Sequence, residues 1–146
     1  MAALAERDRV HNGAMTTNLG PAHHDVGAER TAHRLAAMLI GMGILHFAVP
    51  RPFDALIPAE LPGKPRFYTY WSGVAELLIG ALLLPRSTRR HASGAAVALF
   101  VAVYPANVNM VRLWWNKPWP ARIGAIARLP LQVPMITTAL RVRRAS

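Results

Sequence analysis

Four long apolar segments recur along the chain, each bounded by polar or charged residues. We predict helices over residues 31–49, 68–84, 92–115 and 121–140. A bilayer core about 30 Å thick needs about 20 helical residues, and each segment comes close to that length. The runs AVALFVAVY and ELLIGALLL lack the polar stripe, at i, i+3, i+4 spacing, that a helix needs in water. The pattern therefore predicts an all-α integral membrane protein.

The order of these segments predicts an up-down-up-down four-helix bundle over residues 31–146. The connection PRSTRRH between the second and third segments is short, so those two helices must be antiparallel neighbours. Residues 1–30 are polar and are predicted to be a disordered tail. This tail lacks the apolar region of a secretory signal peptide, and whether translation starts at Met1 or Met15 stays open.

The connection between the first two segments, PRPFDALIPAELPGKPRF, holds five prolines. Because proline cannot donate a backbone hydrogen bond, this stretch is not predicted to be a regular helix at membrane depth. Two interpretations stay open. It is either an ordered lid on the outer mouth of the bundle, with Phe53, Leu56 and Ile57 pointing inward, or an ordinary interfacial loop.

Composition and charge support the membrane interpretation. The chain is 53% hydrophobic and 16% charged, whereas soluble domains are about 25% charged. Its net charge of +10 comes from arginines that flank the apolar segments instead of lining one polar face, which argues against nucleic-acid binding. The positive-inside rule then favours a multi-pass protein of the cytoplasmic membrane with both termini inside.

Two classes of chemistry are excluded or disfavoured. The chain has no cysteine, so it cannot carry disulfide or thiolate chemistry by itself. Of the six histidines, His11, His23 and His24 lie in the tail, where nothing nearby would fix a metal-binding geometry. We therefore predict no metal site.

Glu76 is a carboxylate at the centre of the apolar run SGVAELLIG. At 100° per residue, it shares a helix face with Thr69, Ser72, Gly73 and Gly80. Small residues let a neighbouring helix approach closely in lipid, so we expect this face to point into the bundle. A carboxylate buried there must be paired, hydrated or protonated.

Other polar side chains are predicted at a similar depth in the outer half of the bundle. They are His46, Asn107, Asn109, Arg128 and Gln132. We predict that Glu76 pairs with Arg128, whose guanidinium can hold a carboxylate with two hydrogen bonds, and that His46 bonds to either.

Prolines in the third and fourth segments are expected to disturb their helices. Pro105 should free the carbonyl of Val101, which Asn107 and Asn109 could satisfy. Pro130 and Pro134 should act similarly in the fourth segment. Each of these polar features also has a structural interpretation, because ion pairs and amide clasps can simply fix how helices pack.

Several stretches together resemble the DoxX-like family of small bacterial four-helix membrane proteins. They are GILHFAVPRPFDALIPAELP, YWSGVAELLIGALLLPRSTRR, VYPANVNM and RLPLQ. The resemblance covers about residues 34–141 and implies a cytoplasmic-membrane protein, some relatives of which are linked to quinone-dependent oxidation of sulfur compounds or to oxidative and thiol stress. It brings no established catalytic assignment. The matching positions are His46, Pro50, Phe53, Pro58, Ser72, Gly73, Glu76, Gly80, Pro105, Asn107, Met110, Arg128, Pro130 and Gln132.

Three functions stay open. The first is a subunit that binds a quinone or similar amphipathic lipid, with electrons supplied by a soluble or membrane redox partner and Met42 packing on the ligand. The second is a non-enzymatic anchor or assembly protein, and the third an intramembrane lipid isomerase. No cofactor is intrinsic to the chain, and homo-oligomerisation is left open. The residues assigned to ligand binding are His46, Phe53, Ser72, Glu76, Asn107, Met110, Arg128 and Gln132, with Glu76 and His46 as catalytic candidates.

Overall fold

The computed structural model describes the backbone of residues 22–146 and the side chains of residues 26–146, and this part of the chain contains helices and no strand. The helices are α1 (Ala22–Ala48), α2 (Pro50–Asp54), α3 (Pro65–Leu82), α4 (Arg86–Ala102), α5 (Tyr104–Trp114) and α6 (Trp119–Arg144). The all-α prediction is confirmed.

Three of the described helical stretches are long and apolar enough to cross a membrane. They are Val26–Ala48, Arg86–Trp114 and Trp119–Arg144. Only 17% of the most apolar part of each of the last two is buried inside the protein, so most of their apolar side chains need lipid around them. Helix α3 contains most of the second predicted segment but falls outside this set, because Arg66, Glu76 and the polar residues between them lower its hydropathy.

Helix α1 begins earlier than the sequence pattern predicted. Its start at Ala22 makes residues 22–30, which the sequence pattern assigned to the tail, helical. A contact with another helix favours the extension, because Arg86 Nη2 donates a 2.7 Å hydrogen bond to Glu29 Oε2. The predicted disorder of residues 1–21, with Met15 and His11, lies outside the described residues, as do the side chains of His23 and His24.

The prolines of the third and fourth segments act differently. A turn at Val103 separates α4 from α5, and Pro105 lies in the first turn of α5, which confirms the predicted disturbance there. Helix α6 instead runs unbroken through Pro130 and Pro134, so these prolines do not end a helix, although neither can donate a backbone hydrogen bond. Helix α6 packs against α1, α4 and α5, and neighbouring helices let a membrane helix accommodate proline.

Glycines bring α1 and α3 into backbone contact. A Cβ atom at Gly73 would lie 2.8 Å from His46 Cβ, and one at Gly43 would lie 2.9 Å from the Gly73 carbonyl oxygen. About two turns further along α3, a Cβ atom at Gly80 would lie 2.7 Å from Ile40 Cγ1 and 3.0 Å from the Ala36 carbonyl oxygen. Such contacts leave no room for a methyl group, so these glycines set the distance between the two helices.

The short connection between α3 and α4 is closed by a buried arginine. Arg89 is 5% exposed, and its Nε and Nη2 donate to the carbonyl oxygens of Leu83 and Leu84 at 2.9 and 2.7 Å. These carbonyls would otherwise be unsatisfied at the end of α3. Sequence reasoning placed Arg89 in a charged loop and missed this role. The apolar core around it consists mainly of Ala32, Leu35, Ala36, Leu39, Ile79, Leu83, Ala92, Ala96, Phe100, Ala139 and Val142.

The glycine contact predicts opposite effects for two alanine substitutions. Gly80→Ala should lower the free energy of unfolding by about 1–3 kcal/mol, because the new methyl group must push α1 away. Gly41→Ala, on α1 with nothing within 4 Å of the added atom, should be neutral or raise stability by up to about 1 kcal/mol. Thermal unfolding in one detergent measures both. Equal effects of the two substitutions would contradict the contact.

Candidate functional site

His46 and Glu76 form a buried pair at the contact between α1 and α3. The Nδ1 atom of His46 lies 3.0 Å from Glu76 Oε2 and 2.8 Å from the Met42 carbonyl oxygen. A carbonyl can only accept, so Nδ1 carries the hydrogen in this arrangement. The two residues are only 7% and 8% exposed. The expectation that Glu76 points into the protein and meets His46 is confirmed.

One oxygen of this carboxylate lacks a hydrogen bond. Glu76 Oε2 is fully buried, and no donor among the described residues reaches it with hydrogen-bond geometry, although His46 Nδ1 is within ion-pair distance. A buried acceptor left in this state costs about 1–3 kcal/mol, and more if it is charged. The pair therefore holds an acceptor that an additional donor would satisfy.

Phe53 covers the pair from the connection between α1 and α3. Its ring stacks on the His46 ring, with centroids 3.9 Å apart and planes 27° from parallel. Phe53 lies in the short helix α2, which Pro50 begins directly after α1. The predicted inward position of Phe53 is confirmed, and Leu56 and Ile57 beside it are half-buried.

The segment from Pro50 to Lys64, which we call the lid, is fastened to the helices at several points. Arg66 donates to Asp54 Oδ2 through Nε and lies 2.8 Å from it at Nη2 as well. Asn109 Nδ2 donates a 3.0 Å hydrogen bond to the Leu56 carbonyl oxygen. The Tyr68 hydroxyl donates a 2.6 Å hydrogen bond to the Pro62 carbonyl oxygen. These contacts favour the ordered lid over the loose interfacial loop.

The Asp54 contact has an electrostatic signature. Partial burial raises the pKa of Asp54, but the adjacent Thr69 hydroxyl and the Arg66 guanidinium outweigh it, so the pKa lies below its ordinary value. Of these two neighbours only Arg66 is placed with full hydrogen-bond geometry, because Thr69 Oγ1 and Asp54 Oδ1 have no such partner. Among the neighbours of Asp54, Arg66 is thus the one that fastens it with full hydrogen-bond geometry.

A second polar cluster lies on α4, α5 and α6. Asn107 Nδ2 donates to Gln132 Oε1 at 3.0 Å, and Gln132 Nε2 donates to the Phe100 carbonyl oxygen. The amides therefore satisfy each other and the backbone near the Val103 turn. We expected Asn107 and Asn109 to satisfy the backbone carbonyl freed by Pro105. In the structure Asn109 bonds to the lid instead, and it is Gln132 that bonds to the α4 backbone.

Residues 35–143 match the model of a family described as a domain of unknown function, DUF8561. The chain belongs to this family. Comparison with curated proteins and with solved structures finds no match. The DUF8561 region contains every candidate site residue and excludes the polar N-terminal stretch.

Within the DUF8561 region, Arg128 is not the partner of Glu76. Its side chain is exposed, and it makes no ion pair among the described residues. Arg128 lies one turn from the buried Ala125 and Gln132 on α6, and its long side chain can keep the charge outside the apolar interior. The predicted Glu76–Arg128 pair is therefore wrong, and His46 takes that place.

The remaining predicted residues do not complete one pocket. Ser72 is half-buried one turn before Glu76, and Met110 is buried on α5. Neither side chain makes a hydrogen bond within residues 26–146. No hydrogen bond or ion pair in that range joins the His46 cluster to the Gln132 cluster. Sequence reasoning also missed Gly43, although its position one turn before His46 on the same helix face was a usable signal.

The Asp54–Arg66 contact predicts an acid-sensitive lid. The pKa of Asp54 is lowered in the folded protein. The Asp54–Arg66 contact therefore stabilises the folded lid fully above the ordinary Asp pKa of about 3.9, and this stabilisation is lost as the pH falls through the lower pKa of the folded state. A spin label on Ala59→Cys, in a chain with no native cysteine, reports lid mobility. Its spectrum should sharpen below about pH 4.

Asp54→Asn should give the sharp spectrum already at neutral pH. Glu29→Gln is the matched control, since it removes the carboxylate of the other close arginine pair, at a different end of the protein. A label that stays equally immobile in Asp54→Asn and in the parent would refute the fastening.

Proposed function

We propose that this protein is a membrane subunit whose His46–Glu76 pair hydrogen-bonds the polar head of a quinone or similar amphipathic lipid, within a redox or stress-response complex. The observation that carries the proposal is the buried Glu76 Oε2, which lies 3.0 Å from His46 Nδ1 without full hydrogen-bond geometry, while Nδ1 bonds to the Met42 carbonyl oxygen. A hydroxyl on a ligand head would supply a hydrogen-bond donor.

The chemistry of the pair suits a ligand that gains and loses protons. A carboxylate and an imidazole in contact can pass a proton between them, and proton transfer accompanies the reduction and oxidation of quinones. The lid adds a second element, because the stacked ring of Phe53 offers a planar ligand an aromatic neighbour. Electrons would come from a partner protein, since the cysteine-free chain has no thiol chemistry of its own.

The membrane arrangement we propose has four spans, with α3 as the second and least apolar. The polar half of α3 carries Tyr68, Tyr70 and Trp71, residue types that favour the membrane interface. The lid would then lie on the outer side, and both termini would be cytoplasmic. The resemblance to the DoxX-like family agrees with this arrangement and with a link to quinone chemistry.

One observation favours the alternative of a non-enzymatic anchor or assembly protein. The Asn107, Gln132 and Phe100 groups satisfy one another, so this cluster needs no ligand. The two functions differ in what happens at Glu76. A structural role for the whole polar interior predicts that no ligand binds there.

Binding of decylubiquinone and of its reduced form to the purified full chain tests the proposal. Glu76→Gln and His46→Gln should each weaken binding roughly tenfold or more, because each removes a hydrogen bond to a charged group. Glu60→Gln, which removes an exposed lid carboxylate, should bind like the parent. Calorimetric titration measures all four. Equal binding by the parent and Glu76→Gln, or none by either, would reject the proposal.

A further inference from the structure

The end of the protein opposite the lid is dominated by arginine. Glu29 and Arg86 join α1 to α4 there, and Arg143 of α6 lies 3.8 Å, at Nη1, from where a Cβ atom would stand on Gly94 of α4. The carboxylate of Glu29 lies among these arginine side chains. We call the group the arginine-rich end, and it comprises Arg30, Arg34, Arg86, Arg89, Arg90, Arg141, Arg143 and Arg144.

Several of these charges have no internal counterion. Arg90, Arg141, Arg143 and Arg144 are exposed, and within residues 26–146 none of them is bonded to a carboxylate. Arg89 is buried, but its bonds go to the neutral carbonyls of Leu83 and Leu84. The positive charge of this end therefore has to be balanced from outside the described chain.

A cavity lies at the same place. Its volume is about 170 Å³, and it opens between the ends of α1, α4 and α6. Two cationic side chains, Arg86 and Arg89, line it together with Glu29, whose carboxylate accepts from Arg86. The site thus combines a concave surface and a buried guanidinium with the exposed arginines at the end of α6 next to it in sequence.

The other end of the protein is organised differently. There Asp54 pairs with Arg66, and Glu60 lies 3.8 Å from Arg112. Cations at that end are partly neutralised by carboxylates of the lid. Within the described residues, the lid end therefore keeps fewer cations without a carboxylate partner than the arginine-rich end does.

We propose that the arginine-rich end is a binding site for the phosphate headgroups of anionic phospholipids. The headgroup lies against Arg141, Arg143 and Arg144, above the cavity lined by Arg86 and Arg89. The apolar outer faces of α4 and α6 begin directly beside these arginines, so a lipid can place its acyl chains on them. Basic pockets between spans are known to take anionic headgroups in this way. This site is separate from the His46–Glu76 pair and does not depend on its function.

Native mass spectrometry of the full chain in mild detergent tests the site. The chain is titrated with phosphatidylglycerol and, separately, with phosphatidylcholine of the same acyl chains. The parent should prefer phosphatidylglycerol. Removing three charges at the site, in Arg141→Gln/Arg143→Gln/Arg144→Gln, should reduce that preference by roughly tenfold or more. The matched control Arg51→Gln/Lys64→Gln/Lys117→Gln removes three exposed, unpaired cations at the lid end and should keep it.

Equal binding of the two lipids by the parent, or an equal loss in both triple variants, would overturn the proposal. A second measurement on the parent alone covers the case in which a variant misfolds. Phosphatidylglycerol binding should weaken as salt rises, because exposed charges are screened, and a salt-independent preference would contradict the site. Displacement of the lipid by inorganic phosphate at constant ionic strength would assign the site to free phosphate and refute a lipid site.

Discussion

The close approach of α1 and α3 is the constraint on which the rest of the protein depends. Gly43, Gly73 and Gly80 leave no side chain between the two backbones, so the helices touch. Because Gly73 lies against His46, the imidazole is pressed toward Glu76 one turn further along α3. A carboxylate that would be unfavourable in lipid thereby gains a partner and a buried position.

Two polar clusters lie within this apolar protein, and they differ in whether their hydrogen bonds are complete. The His46–Glu76 pair lies beneath a lid that an ion pair and an aromatic stack hold in place, and it keeps an unsatisfied acceptor. The amides around Gln132 satisfy one another and repair the backbone at the α4–α5 turn. Only the first cluster offers a ligand something that the protein lacks. This asymmetry is why we assign binding to one cluster and structure to the other.

Much of the fold could be predicted because it follows from local rules, whereas the partners within the site could not. The apolar segments, the turn near Pro105 and the inward face of Glu76 are all set by residues close in sequence. The choice between His46 and Arg128 as the partner of Glu76 depends instead on which helices touch, and a helix pair that meets through glycines leaves little hydrophobic signal. Arg128 was predicted to lie near Glu76 only because both have a similar depth in the membrane. A long arginine side chain can extend its charge out of the apolar interior, whereas the shorter histidine side chain stays beside Glu76.

A double-mutant cycle on the two central residues tests this account most directly. The free energy of unfolding of the parent, His46→Gln, Glu76→Gln and the double variant would be measured in one detergent. Residues in direct, buried contact should show a coupling energy of about 1–3 kcal/mol, so the double variant should lose clearly less than the sum of the two single changes. Strictly additive losses would mean that His46 and Glu76 do not meet, and the helix contact that we place at the centre of the fold would be wrong.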